Sequence, residues 1–130
     1  MNLKEKLKGN PMNSETKFIG RLFEARDNAH MEHLRVKGTG SFAAHKALNE
    51  FYDGILDLAD SFVESYQGKY GIIKFEIKPA YHIDFVEYLK EFGRYTEASR
   101  EMFKEDWLKN QIDTMCELIY STLYKLENLK

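Results

Sequence analysis

FAAHKALNEFYDGILDLADSFVESYQ, residues 42–67, is the stretch that decides the fold. Positions 45, 48, 52, 55, 59, 62 and 66 read His, Leu, Tyr, Ile, Ala, Phe and Tyr. Steps of three and four keep these side chains on one stripe of a helix, which is the seam of a helical bundle. Gly68 and Gly71 follow and are expected to break the chain there. Asp53, Asp57, Asp60 and Glu64 fall away from the seam and read as an outward acidic stripe.

Working outward, residues 14–36 repeat the pattern through Phe18, Leu22, Ala25, Ala29 and His33. Asn13-Ser14-Glu15 offers capping oxygens and an early acidic residue at the start of that helix. Between the two helices lies Lys37-Gly38-Thr39-Gly40-Ser41, where glycine ends one helix and Thr39 or Ser41 is expected to cap the next. Downstream, IIKFEIKPAY (72–81) has no partner strand and contains Pro79, so it reads as a crossover. Asp84 starts a third helix with Phe85, Tyr88, Leu89, Phe92 and Tyr95 on one side. A tight turn near Phe103 to Asp106 leads to a fourth, with Leu108, Ile112, Met115, Ile119, Leu123 and Leu126 at bundle spacing. Short, long and short connections give an all-α, ferritin-like four-helix bundle, two antiparallel hairpins joined by a long crossover. The bundle takes residues 14–130, and residues 1–13 read as a flexible basic tail.

Composition narrows the class. With 43% hydrophobic and 31% charged residues, the 130-residue chain has enough apolar material for one globular core. It contains no run long enough to span a membrane, so no membrane partner is expected. The single cysteine, Cys116, sits among Met115, Leu118 and Ile119 and reads as a buried, inert thiol in a cytoplasmic protein. A net charge of -2 supplies no general field for nucleic acid.

The chemistry sits near the first turn. His33 and His45 both fall on apolar faces, one on each side of the hairpin, as a pair of imidazoles suited to a metal. Asp60 and Glu64, four apart, project from one face of helix 2. Asp60, the nearer, lies fifteen positions from His45, about 22 Å along a helix, so one chain cannot close the site. A second copy can, if helix 2 packs antiparallel on itself across a two-fold axis. The axis then falls near Gly54, whose missing side chain would let the helices approach. Asp27, His30 and His33 on adjoining turns of helix 1 offer a different cluster, and His82 reads as a surface or capping residue.

AHMEHLRVKGTGSFAAHKALNEFYDGILDLADSFVE, residues 29–64, resembles the DNA-protection-during-starvation proteins, the twelve-subunit mini-ferritins called Dps. The shared features are two histidines twelve apart (His33, His45), a glycine-containing turn at Lys37-Gly38, and an Asp-Glu pair four apart (Asp60, Glu64). The segment DFVEYLKEF, 84–92, also looks like the start of that family's third helix. The resemblance implies an iron site at a two-fold interface, ligated by His33, His45, Asp60 and Glu64, with zinc able to substitute. It further implies Fe(II) oxidation, a homodimer through helix 2 and a shell of about twelve copies. Two positions depart from the family. Its acidic residue four after the second histidine is the neutral Asn49 here, a poor ligand, and its aromatic after the first histidine is Leu34.

DNA binding would fall to Lys4, Lys6, Lys8 and Lys17, offset by Glu5 and Glu15. The competing expectation is a bundle without catalysis that binds a protein or small ligand through its faces or its aromatic crossover, with Tyr70, Phe75 and Tyr81.

Overall fold

The structure, a computed structural model, describes residues 13–130. The lysines at 4, 6 and 8 and the rest of the expected tail, apart from Asn13, lie outside that range. Helix α1 spans Ser14–Arg35, α2 Ser41–Tyr70, α3 Phe85–Ser99 and α4 Asp106–Asn128, with a 3-10 turn at Arg100–Met102. The all-α four-helix bundle expected from the sequence is observed. No helix among the described residues is long and apolar enough to cross a membrane.

Asn13 starts α1 as the sequence indicates. Its Oδ1 accepts the Thr16 N–H at 2.9 Å while the Thr16 hydroxyl oxygen accepts the Asn13 N–H at 2.9 Å. Two N–H groups that the helix cannot satisfy are thereby paired. The start of α2 is different. Neither Thr39 nor Ser41 caps it; Gly40 is the N-cap, with no side-chain bond, at φ 81°. Gly38 is also left-handed, at φ 92°, so the turn is made by two glycines whose backbone no β-carbon hinders. At the far end α2 runs through Gly68 and stops only at Gly71, which adopts φ 94°. The helix therefore reaches Tyr70, three residues beyond the expected Gln67.

The buried seam of α2 is Leu48, Phe51, Ile55, Ala59, Phe62 and Tyr66. It passes through Phe51 where the sequence pattern suggested Tyr52, and His45 is exposed on the helix surface. Both residues fit a three-four step, and the ring without a hydroxyl takes the core place while the Tyr52 hydroxyl stays with a polar partner. Phe62 packs edge-on against Phe18 and Phe103, at 5.6 and 5.1 Å between ring centres, giving one end of the bundle an aromatic core. Each such ring, fully buried, contributes about 1.5–3 kcal/mol.

Contacts set the topology. Phe18 at the start of α1 meets Phe62 near the end of α2 and Tyr95 near the end of α3. Ser65 of α2 receives a hydrogen bond from Gln111 early in α4, and Glu50 pairs with Lys125 late in α4. Arg100 pairs with Asp113, and Lys90 with Glu127. The ring order is therefore α1, α2, α4, α3, with every neighbouring pair antiparallel.

This order makes α2 and α3 parallel, so the crossover, residues 71–84, must travel the length of the bundle. Fourteen extended residues reach about 46 Å, more than the roughly 33 Å of a 22-residue helix. It runs up α1: Phe75 stacks on Phe23, Lys78 N–H donates to Glu24, and Ala80 N–H donates to Asn28 Oδ1 at 2.7 Å. Arg35 closes the top on the His82 carbonyl.

Gly54 has a role other than the one read from sequence. A β-carbon there would lie 3.0 Å from Leu118 Cδ2, so the space belongs to α4 of the same chain, not to a second copy.

Candidate metal centre

His33 ends a buried face of α1, and His45 opens α2 directly across the turn. Their rings stack with centres 3.6 Å apart and planes 24° from parallel. His33 Nδ1 lies 2.8 Å from the His45 carbonyl oxygen, and His45 Nδ1 lies 3.0 Å from the His33 carbonyl oxygen. A carbonyl only accepts, so both Nδ1 atoms carry the hydrogen. In the neutral rings the lone pair then sits on Nε2, the tautomer in which a histidine binds metal. The glycine turn creates this arrangement by bringing two backbone carbonyls within reach of two side chains.

Tyr52 closes the site on one side. Its ring meets His33 edge-on at 5.3 Å and stacks on His30 at 4.4 Å. The Tyr52 hydroxyl donates to Asn49 Oδ1 at 2.6 Å, and Asn49 Nδ2 donates to Asp53 Oδ2 at 3.2 Å. The oxygen that would make Asn49 a ligand is thus taken by a hydrogen bond. Sequence reasoning placed Tyr52 in the core and missed this contact. The three-residue spacing from Asn49 was the available signal, since it puts both on one face.

Asp60 and Glu64 are exposed on α2, and neither makes a hydrogen bond or ion pair with another described residue. Their place in the same helix as His45 keeps Asp60 about 22 Å and Glu64 about 28 Å away along its axis. The structure therefore brings His33 and His45 together and leaves Asp60 and Glu64 apart from them. Among the described residues no group of three or more His, Cys, Asp or Glu is gathered as a metal site. The described residues of one chain bring two nitrogen donors together without the oxygen donors that would complete a shell.

Of the second cluster, His30 stays beside His33, with ring centres 6.0 Å apart, while Asp27 is drawn aside. Asp27 pairs with Arg26 at 2.8 Å, and His30 faces Tyr52. His82 is not a free surface residue. It stacks on Tyr88 at 4.0 Å, and its Nε2 accepts from Asn28 Nδ2 at 3.3 Å, which anchors the crossover. Cys116 is half-buried, and burial raises its thiol pKa, which keeps it the protonated, unreactive form.

A model described as a family of unknown function (DUF5856) matches residues 33–126, a span that begins at His33 and contains all five candidate ligands. No curated protein and no solved structure matches the chain.

Proposed function

The chain belongs to the family of unknown function DUF5856, and on that premise we propose that it binds a divalent metal, iron by resemblance, where two copies meet. His33 and His45 of one copy supply nitrogen, and Asp60 and Glu64 of its two-fold mate supply oxygen. The observation that carries this reading is the reciprocal bonding of the two imidazoles. It aims the proton-bearing nitrogens at backbone and leaves two Nε2 lone pairs for a ligand. The unpaired carboxylates at the other end of the same helix, and a ring order with the single long crossover that ferritin-like bundles use, support it.

Within this site the residues bind and orient. Asn49 stays out of the shell, held by Tyr52 and Asp53, so the metal meets one anionic donor fewer than in the mini-ferritins. With one anionic donor fewer, oxidation of bound Fe(II) by dioxygen would be correspondingly slow. Assembly beyond a dimer into a shell belongs to the same proposal.

Subunit mixing tests it. Neither His45→Ala nor the double variant Asp60→Asn, Glu64→Gln retains metal, while their mixture regains it in about one site per heterodimer. Failure of the mixture to bind sinks the shared site.

A second reading, a non-catalytic binding bundle, draws on the crossover. Ile72, Ile77 and Tyr81 are exposed along it at 50%, 41% and 67%.

A further inference from the structure

Exposed apolar side chains are not spread evenly over the bundle. Five described ones are more than 60% exposed: Leu34, Phe42, Tyr81, Ile83 and Tyr124. All five lie at the end where α1 and α4 finish and α2 and α3 begin. Single exposed apolar residues need no explanation, but a cluster confined to one end does.

The same end carries a groove of about 470 Å³ between the α1–α2 turn and the start of α3. Val36, Ala44, Leu48, Phe85, Val86 and Leu126 form its apolar wall. Ile83 stands at its rim, 104% exposed, because the crossover backbone is pinned just before it by Arg35 on the His82 carbonyl. A hole and a branched aliphatic knob therefore share one surface. Charges of both signs flank them. Lys37 on the turn and Asp84 on the α3 side are both exposed, and neither has an ionic partner among the described residues.

We infer that this end of the bundle binds a second copy of the chain, each copy seating Ile83 in the other's groove. A two-fold rotation satisfies both holes with both knobs and carries Lys37 of each copy toward Asp84 of the other. The contact uses only the start of α2, up to Leu48, not the length of its outward face, and needs no metal. Two distinct two-fold contacts on one chain would allow an assembly larger than a dimer.

The experiment is sedimentation equilibrium of the full chain without metal, as wild type, Ile83→Asp and Ala44→Trp, the last filling the groove. Wild type associates, and each variant weakens association at least tenfold while keeping its helical circular dichroism. Mixing Ile83→Cys with Ala44→Cys, both in a Cys116→Ser background, then gives an oxidised heterodimer. A monomeric wild type, association indifferent to both variants, or no cross-link in the mixture overturns the inference. The Asp60→Lys variant keeps this contact, which separates its failure from failure of α2 pairing.

Discussion

His33 and His45 each hold the other's backbone: Nδ1 to carbonyl oxygen is 2.8 Å in one direction and 3.0 Å in the other. The pair thus fastens the α1–α2 turn and prepares two Nε2 atoms at once. His45→Phe separates these roles. It retains a stacked ring on an exposed site, so stability changes by only about 0.5–1.5 kcal/mol, the value of one net hydrogen bond. Metal binding disappears. Thermal denaturation and calorimetry with Zn(II) check the two halves.

Asp53 tests the register of the proposed pairing. The midpoint between His45 and the Asp60/Glu64 pair falls near residue 53, and Asp53 is the exposed residue there. Antiparallel α2 helices would bring two Asp53 carboxylates close. Asp53→Asn should tighten the metal-free contact by roughly 1.5-fold to fivefold, the scale of exposed charge effects. A dilution series by sedimentation measures it, and unchanged or weaker pairing contradicts that register.

Gly20 reports on the crossover. A β-carbon there would sit 2.4 Å from the Glu76 carbonyl oxygen, a backbone atom that cannot move alone. Gly20→Ala is expected to cost about 1–3 kcal/mol by overpacking. Gly68 has open space around its missing β-carbon and lies inside α2, so Gly68→Ala should stabilise by about 0.5–1 kcal/mol. Urea denaturation of both variants checks the opposite signs.

Glu105 makes stability depend on acid. The Lys69 ammonium at 2.6 Å and the Tyr70 hydroxyl hold this buried carboxyl down at about 2. A carboxylate depressed in the fold stabilises it above the unfolded value near 4.5 and loses that contribution as pH falls from there toward 2. Glu105→Gln should therefore flatten the fall in melting temperature between about pH 5 and pH 2, and lower stability at neutral pH.

Much of the fold was legible because periodicity is local. The three-four seam of 48, 55, 59, 62 and 66, the Asn13 cap and the Pro79-containing crossover all follow from short-range rules. What escaped depends on neighbours in space. Phe51 displaced Tyr52 from the core because both fit the helical step and only packing chooses. Spacing alone points Gly54 at a second copy, yet Leu118, sixty-four positions later, fills its space. Of the site, the His33–His45 juxtaposition was readable from the glycine turn. Their exchange of carbonyl bonds was not, since backbone orientation at Gly38 and Gly40 fixes it. Nor was the capture of Asn49 by Tyr52, which hinges on a rotamer.

The most direct test is an anaerobic Fe(II) titration of the full chain, wild type beside His45→Ala, followed by admission of air. Wild type is expected to bind Fe(II) saturably and stoichiometrically, the variant to lose that binding, and oxidation in air to be slow at most. Absence of binding in wild type, or equal binding in both samples, would contradict the proposed site.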